Sequence, residues 1–239
     1  MTTVLFVRHG LTHLTGPVLA GWTPGLHLDD RGREQAARLA ERLRRVPLAA
    51  IVTSPLERCR DTVAAIAEGR GLEIAVDDRL GEAHYGDWTG QEIKKLVRDP
   101  LWKVVQAQPS AVTFPNGEAM RDVETRALAA VRDWNERLGP DATWLACSHA
   151  DVIKSIVADA LGLHLDQFQR IAIGPASLTV IRYSGVHRTV VRVNDVGGAV
   201  EDLLPPKRRP GRRRPSTASG AADPEPAAPD GIGGTSARG

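Results

Sequence analysis

Two strongly apolar runs, at residues 4–7 and 143–147, constrain the fold most, because each ends directly in a short polar string. Runs of this length and composition are typical of parallel strands that are buried on both faces of a sheet. The first run is followed by Arg8-His9-Gly10 and the second by Ser148-His149-Ala150. Ligands of open parallel α/β sheets bind outside the carboxyl ends of the strands, where both strings are expected. An arginine and two histidines at that edge indicate a pocket for an anion, and we expect a phosphate group.

The rest of the chain alternates between strand-like and helix-like segments, and we find no internal repeat. Such alternation predicts βαβ units and a mostly parallel sheet. The fold class we expect is therefore α/β, a three-layer α/β/α sandwich whose last two strands form a hairpin at a mixed edge. The predicted strands are 3–7, 50–53, 73–76, 143–147, 177–183 and 187–193, and the predicted helices are 30–45, 55–68, 118–138 and 150–161.

Charge and composition divide the chain into a folded domain and a tail. Residues 205–239 carry seven Lys or Arg against three acids and are net +4, which leaves residues 1–204 at −2. A segment this rich in Pro, Gly, Ala and Arg cannot bury enough surface to offset its ordering entropy. We predict a folded domain at 1–204, with an inserted lobe at about 79–118, and a disordered tail at 205–239.

The basic string at 207–214 is best interpreted as part of a solubilising extension. The alternative is a contact with nucleic acid, anionic lipid or an acidic partner. No nucleic-acid partner is expected for the folded domain, because its net charge is negative.

Cysteine usage and hydropathy bear on location. The two cysteines, Cys59 and Cys147, are too few for a disulfide framework and fit a reducing compartment. The first strand follows the amino terminus without a basic leader, and no apolar run is long enough to span a bilayer. The sequence therefore predicts a cytoplasmic protein with no membrane partner, and an edge strand would allow a homodimer.

A second arginine is expected near the same edge of the sheet. Ser54 follows the strand at 50–53 and is expected to cap a helix, with Pro55 as its first residue. Arg58 then falls in the first turn, where free N–H groups and the helix dipole favour an anion. The alternative is an ion pair with Glu57 or Asp61 on a solvated helix face.

The second histidine has a similar setting. Ser148 is expected to cap the helix that begins near Asp151, which places His149 at a helix N-terminus. The alternative is a buried histidine with a structural role. Three polar features at the ends of three strands nevertheless favour one shared site.

These residues resemble the histidine phosphatase superfamily, the phosphoglycerate-mutase-like branch, over about residues 1–195. The hallmark Arg-His-Gly stands at Arg8-His9-Gly10, and the second arginine motif matches Ser54, Arg58 and Thr62. The acidic segment of the family matches residues 79–90, with Glu82 as its acid, and the second histidine motif matches Ser148-His149. The tail lies outside the resemblance.

The resemblance implies a two-step mechanism without a metal or other cofactor. His9 attacks the phosphoryl group and becomes a phosphohistidine, while Arg8, Arg58 and His149 hold the phosphoryl oxygens. Glu82 protonates the leaving alkoxide and then helps to activate water. An alkoxide leaves poorly unless it is protonated, which suits a carboxyl group of raised pKa. Asp87 is the competing acid, and we interpret it as a loop cap after Gly86.

Two positions near the first motif show how this chain departs from the family. Many members carry an Asn shortly after the first histidine, and here Thr15 is the candidate to donate a hydrogen bond to phosphate. The mutases carry Thr or Ser before a Gly-Trp pair, whereas this chain has Ala20-Gly21-Trp22. We therefore include Thr15 and Gly21 among the substrate-binding residues.

Phosphatase activity is favoured over mutase activity by one segment. The mutases carry an insertion with paired arginines that holds the substrate carboxylate and closes the pocket, but residues 99–118 contain no arginine. A mutase must keep its phosphoenzyme from water, so water is here the expected acceptor. The prediction is a metal-independent phosphomonoester hydrolase acting on a small phosphorylated metabolite. The alternatives are a phosphomutase primed by a bisphosphorylated cofactor and a non-catalytic module that binds phospho-ligands.

Five aromatic residues are candidates for the mouth of the pocket, although packing of the inserted lobe is the favoured role. They are Trp22, Tyr85, Trp88, Trp102 and Phe114.

Overall fold

A mixed six-stranded sheet organises residues 1–197, the part of the chain that this computed structural model describes. Its strands are β1 (Thr2–Arg8), β2 (Ala50–Thr53), β3 (Ile74–Val76), β4 (Thr143–Ser148), β5 (Leu178–Tyr183) and β6 (Arg188–Asp195). They lie in the order β3-β2-β4-β1-β5-β6. The first four strands are parallel to one another, and β5 and β6 join as antiparallel strands at one edge. The predicted mostly parallel sheet with a mixed edge is confirmed.

Helices cover both faces of the sheet. They are α1 (Asp30–Leu43), α2 (Glu57–Ala67), α3 (Ile93–Leu96), α4 (Pro100–Ala107), α5 (Met120–Leu138) and α6 (Ala150–Ala160). Successive side chains of a strand point to opposite faces, and β1 divides its apolar residues accordingly. Leu5 and Val7 pack in the core that contains α1 and α2, whereas Val4 and Phe6 pack in the core that contains α5 and α6. The result is the expected three-layer α/β/α sandwich.

The segment at 79–118 contains α3, α4 and short 3-10 turns. Its buried Leu80, Trp88 and Phe114 share a core with Phe6 and Ile153 of the main sandwich. The boundaries proposed for an inserted lobe remain a prediction.

Two predicted helix caps are wrong, for a shared reason. Helix α2 begins at Glu57 rather than at Pro55, and no side chain caps it. The Ser54 hydroxyl instead lies 2.8 Å from Nε2 of His149. Ser148 ends β4, and its hydroxyl donates to the carbonyl of Leu80 at 2.6 Å. Both hydroxyls are used in contacts between distant segments. The Ser54 oxygen also accepts from the amide of Leu56, but that residue precedes the first helical residue, Glu57.

Strand order determines where the site forms. Strands β2, β4 and β1 are neighbours, and Arg8 lies in register with Ser148, as does Thr53 with Cys147. Because these strands are parallel, their carboxyl ends meet at one edge of the sheet. His9, Ser54 and His149 each follow directly after one of them.

The predicted tail at 205–239 lies outside the described residues, as do residues 198–204. Within residues 1–197, none of the helices combines the length and the apolar character that crossing a membrane requires. Cytoplasmic location and homodimer formation remain predictions.

Candidate active site

The structure brings the predicted site residues together around a cleft of about 170 Å³ at the carboxyl edge of the sheet. Among the predicted residues, six line it directly: Arg8, His9, Thr15, Gly21, Arg58 and Glu82. The seventh, His149, is fully buried and contacts Arg58 behind the lining residues.

The ring of His9 is fixed in one orientation. Its Nδ1 lies 2.8 Å from the carbonyl oxygen of Gly10, which can only accept, so Nδ1 carries the proton. Nε2 is therefore unprotonated and accepts a hydrogen bond from Nε of Arg58 at 3.3 Å. Burial, together with the charges of Arg58 and Arg8, holds the pKa of His9 well below 6.5. The ring is neutral at physiological pH, and the lone pair of its unprotonated Nε2 is held by the hydrogen bond from Arg58.

Arg58 is 1% exposed and is shared between the two histidines. Its Nη2 donates to the carbonyl of Gly21 at 2.8 Å and lies 3.2 Å from Nδ1 of His149. The proposed ion pairs of Arg58 are not formed, because Asp61 contacts His27 at 2.9 Å and Glu57 accepts from the Gly25 amide. The helical ion-pair interpretation is therefore wrong.

Two guanidinium nitrogens near the cleft have no hydrogen-bond partner among residues 1–197. Arg8 donates through Nη1 to the carbonyl of Ile173 at 2.7 Å, while its buried Nε has no partner. Nη1 of Arg58 is also buried and has no partner among these residues. Buried donors normally have acceptors, so two unsatisfied cationic donors beside one cleft fit an anionic ligand.

His149 completes a buried hydrogen-bond chain. Its Nε2 is bonded to the Ser54 hydroxyl, and that oxygen also accepts from the amide of Leu56 at 3.3 Å. Burial and the charge of Arg58 keep the pKa of His149 well below 6.5, so this ring is neutral as well. Both ring nitrogens already have protein partners, Ser54 and Arg58. A direct contact of His149 with a phosphate oxygen therefore remains a prediction.

Glu82 supplies the carboxyl group of the cleft. It is 9% exposed, and Oε1 accepts a hydrogen bond from the amide of Ala83 at 3.0 Å. Burial, reinforced by the negative charge of Asp151, raises the pKa of Glu82 to about 7. A substantial fraction of this carboxyl group is protonated at neutral pH and can donate.

The loop that carries Glu82 is held by two side chains. Nη1 of Arg126 donates to the carbonyls of Arg79 and Gly81, and its Nη2 donates to the carbonyl of Glu82 at 3.0 Å. The indole of Trp22 donates to the same Glu82 carbonyl at 2.7 Å. Arg126 is fixed in turn by an ion pair with Glu118 at 2.7 Å.

Thr15 contributes a hydroxyl to the cleft lining, whereas Gly21 contributes backbone without a side chain. The Thr15 hydroxyl accepts from the amide of Thr12 and shares a hydrogen bond with its hydroxyl, each at 3.0 Å. Gly21 adopts φ +50°, and a Cβ there would lie 2.8 Å from Oγ1 of Thr89. Because Gly21 has no side chain, the backbone can adopt the conformation in which its carbonyl accepts from Arg58.

Asp87 does not line the cleft. Its exposed carboxylate accepts hydrogen bonds from the side-chain amide of Asn116 at 3.0 and 3.2 Å. Glu82 is thus the better placed of the two candidate acids.

The aromatic residues divide between core and cleft. Trp88 packs against Trp102 and Phe114, whereas Tyr85 lines the cleft. Trp22 stacks on His84 with ring centroids 4.2 Å apart.

Asp151 and Tyr85 form a second polar pair in the cleft wall, and no site role was predicted for Asp151. The Tyr85 hydroxyl donates to Oδ2 of Asp151 at 2.9 Å. The available signal was the position of Asp151, two residues after His149 in the first turn of α6. Sequence reasoning assigned it only to the start of a helix.

Within residues 1–197, no cluster of three or more His, Cys, Asp or Glu side chains is arranged to hold a metal ion. Metal independence remains a prediction.

Comparison with known proteins matches this arrangement to one family. Residues 4–196 match the profile of the histidine phosphatase superfamily (branch 1). The chain belongs to this superfamily. The chain is similar to phosphoserine phosphatase 1 of Hydrogenobacter thermophilus, with 29% identity over 205 residues that cover 81% of this chain and 92% of that protein.

A solved structure agrees with this chain in fold, and another relative is much longer than the chain. A structure of the mycobacterial glucosyl-3-phosphoglycerate phosphatase Rv2419c with VO3 superposes with a TM-score of 0.71, at 27% identity, over 81% of this chain and 98% of that one. The bifunctional protein Rv2228c of Mycobacterium tuberculosis is 32% identical over 202 residues, which are 82% of this chain and 54% of that protein. The chain therefore spans about half the length of this larger relative.

Proposed function

We propose that the protein is a metal-independent phosphomonoester hydrolase that works through a phosphohistidine on His9. The observation that carries the proposal is the unprotonated Nε2 of His9 beside two guanidinium groups with unsatisfied donors. A neutral imidazole is a nucleophile, and fixed cationic donors stabilise charge on the phosphoryl oxygens. Phosphatases among the relatives support the reaction class.

In the first step, the lone pair of His9 Nε2 attacks phosphorus while the bond from phosphorus to the ester oxygen breaks. Arg8 and Arg58 hold the phosphoryl oxygens, and His149 supports Arg58 from behind. The proton of Glu82 passes to the departing oxygen, so the alcohol leaves neutral. The pKa of about 7 suits this transfer, because the group is protonated in a useful fraction and still acidic.

In the second step, the carboxylate of Glu82 takes a proton from water as the water oxygen attacks phosphorus. The bond from phosphorus to Nε2 breaks, inorganic phosphate forms, and Glu82 is protonated again. Hydrolysis is favoured over mutase chemistry because Arg8 and Arg58 are the only arginines or lysines that line the cleft within the described residues. Neither comes from the segment at 99–118, so the pocket offers no second pair of arginines, beyond the two that hold the phosphoryl group, to retain a phosphorylated intermediate.

The test is release of inorganic phosphate from p-nitrophenyl phosphate and a panel of alkyl phosphates, with a chelator present. The wild-type protein should turn over, and His9→Ala should abolish release. His13→Ala is the matched control, since His13 is an exposed residue of the same loop that does not line the cleft. Loss of activity with chelator, or retention of activity in His9→Ala, would contradict the proposal. Isomer exchange without free phosphate would indicate a mutase.

A further inference from the structure

The cleft contains a carboxylate that the proposed mechanism does not use. Asp151 lines it together with Arg8, Arg58 and Glu82. The phosphate dianion occupies the two arginines, and no other arginine or lysine lines the cleft among residues 1–197. A substrate with a second anionic group would therefore meet no cationic partner and would face Asp151.

Asp151 shares a small cleft with Glu82, the proposed proton donor. Its Oδ2 accepts from the Tyr85 hydroxyl at 2.9 Å, and Tyr85 lines the same cleft as Glu82. Since the cleft measures only about 170 Å³, the carboxyl groups of Asp151 and Glu82 lie near each other, and the charge of Asp151 adds to burial in raising the pKa of Glu82. Because Glu82 is the proposed proton donor, the departing oxygen and the group attached to it lie near Asp151.

The counter-ion of Asp151 does not cancel this arrangement. Nζ of Lys154 lies 3.2 Å from Oδ1 of Asp151 and 3.1 Å from Oε1 of Gln169. Lys154 does not line the cleft. The ion pair therefore presents its carboxylate, and not its ammonium, to the substrate.

We propose that Asp151 is a specificity-determining residue that selects phosphomonoesters whose alcohol part carries hydroxyl or amine donors and no second anionic group. The proposal rests on the proposed hydrolysis at His9. A second anionic group on the substrate would be repelled by the like charge of Asp151. A substrate carboxylate that found no hydrogen-bond donor in this partly buried site would weaken binding further. The proposed selectivity differs from that implied by the names of two relatives. Those names refer to phosphoserine and glucosyl-3-phosphoglycerate, and each of these compounds bears a carboxylate in addition to phosphate.

A matched pair of substrates tests the proposal. Glycerol 3-phosphate and 3-phosphoglycerate differ by a hydroxymethyl group in place of a carboxylate. The wild-type kcat/KM should be at least about 10-fold higher for glycerol 3-phosphate, in line with a like-charge penalty near a protein surface. Asp151→Asn keeps the size and an acceptor for Tyr85, and should reduce that ratio at least about 5-fold, chiefly by improving 3-phosphoglycerate.

Asp159→Asn is the control, because both acids lie on α6, are ion-paired and have similar exposure, 22% for Asp151 and 24% for Asp159. Its ratio should equal that of the wild type. A wild-type ratio near one, or a ratio that Asp151→Asn leaves unchanged, would overturn the proposal.

Equilibrium binding separates this proposal from the proposed hydrolysis. Calorimetry of the same two esters with His9→Ala should show tighter binding of glycerol 3-phosphate, and the preference should shrink in His9→Ala combined with Asp151→Asn. If wild-type protein releases no phosphate but this preference is present, the hydrolysis fails and the selectivity stands. If phosphate is released but the preference is absent, the selectivity fails alone.

Discussion

The rings of His9 and His149 lie 5.2 Å apart, centroid to centroid, and the guanidinium of Arg58 is hydrogen-bonded to both. A single buried cation thus contacts the unprotonated nitrogen of each ring. Burial, together with the positive charge of Arg58, lowers the pKa of each ring, so both imidazoles remain neutral. The proposed nucleophile depends on this relationship.

Arg58→Ala should lower kcat/KM by roughly 100-fold to 1,000-fold, the range seen when one donor to a developing oxyanion is removed. Arg58→Lys should recover only part of this loss, because an ammonium lacks the planar fork that reaches both histidines. Steady-state kinetics and inhibition by vanadate measure the effect. Arg60→Ala, an exposed neighbour on α2, should behave as wild type. Activity of Arg58→Ala within a few-fold of wild type would contradict this role.

Glu82 should give the pH profile a basic limb. As a proton donor it must be protonated, so kcat/KM for alkyl phosphates should fall as pH rises through about 7. No acidic limb from His9 is expected near pH 6.5, because the pKa of that ring lies well below this value. In Glu82→Gln the limb near pH 7 should disappear.

The loss in Glu82→Gln should also depend on the leaving group. Alkyl phosphates need protonation of the departing oxygen, whereas p-nitrophenolate leaves readily without it. Relative to wild type, turnover of an alkyl phosphate should therefore fall at least about 10-fold more than turnover of p-nitrophenyl phosphate. Equal losses on both substrates would show that Glu82 has another role.

Arg126 should act as a positioning residue for Glu82. Its guanidinium holds three carbonyls of the loop that carries Glu82, together with the carboxylate of Glu118. Arg126→Met should reduce kcat more than it changes KM and should lower the free energy of unfolding by about 3 kcal/mol, as for a broken buried ion pair. The side chains of Arg126 and Glu118 are mostly buried, at 18% and 15% exposure, so solvent screens their ion pair only weakly.

A double-mutant cycle with Glu118→Gln tests the coupling, with thermal denaturation and kcat as readouts. The two losses should be less than additive, because either substitution breaks the same ion pair. Additive losses in kcat would mean that Arg126 does not act through Glu118.

Gly32→Ala should destabilise the protein although Gly32 lies in helix α1. Alanine normally improves a helix by about 1 kcal/mol over glycine. Here a Cβ would lie 2.0 Å from the carbonyl oxygen of Leu11, in the loop after the first motif. Such overpacking costs about 1–3 kcal/mol, so the net loss should be about 1 kcal/mol and visible as a lower Tm. Gly185→Ala, whose Cβ would meet no atom within 4 Å, should leave Tm unchanged.

Periodicity and motif spacing predicted the fold well because the relevant signals are local. The apolar runs of β1 and β4 are buried on both faces, and the arginine and histidine motifs follow strand ends that parallel order brings together. The helices predicted at 30–45, 55–68, 118–138 and 150–161 begin and end within two residues of every predicted bound.

Contacts between distant segments could not be predicted from the sequence. Ser54 and Ser148 have the composition of helix caps, but each hydroxyl contacts a residue more than 60 positions away. The role of Asp151 depends in the same way on Tyr85, from a different segment of the chain. Nothing in local composition indicates which of two hydrogen-bonding possibilities the tertiary structure uses.

Trapping the phosphoenzyme tests directly whether His9 is the nucleophile. The wild-type protein is mixed with a phosphoryl-labelled ester, quenched in alkali during turnover and mapped by peptide sequencing. We predict an acid-labile phosphoryl group on His9 and no label in His9→Ala. Continued phosphate release with no labelled His9, or label on a different residue, would contradict it.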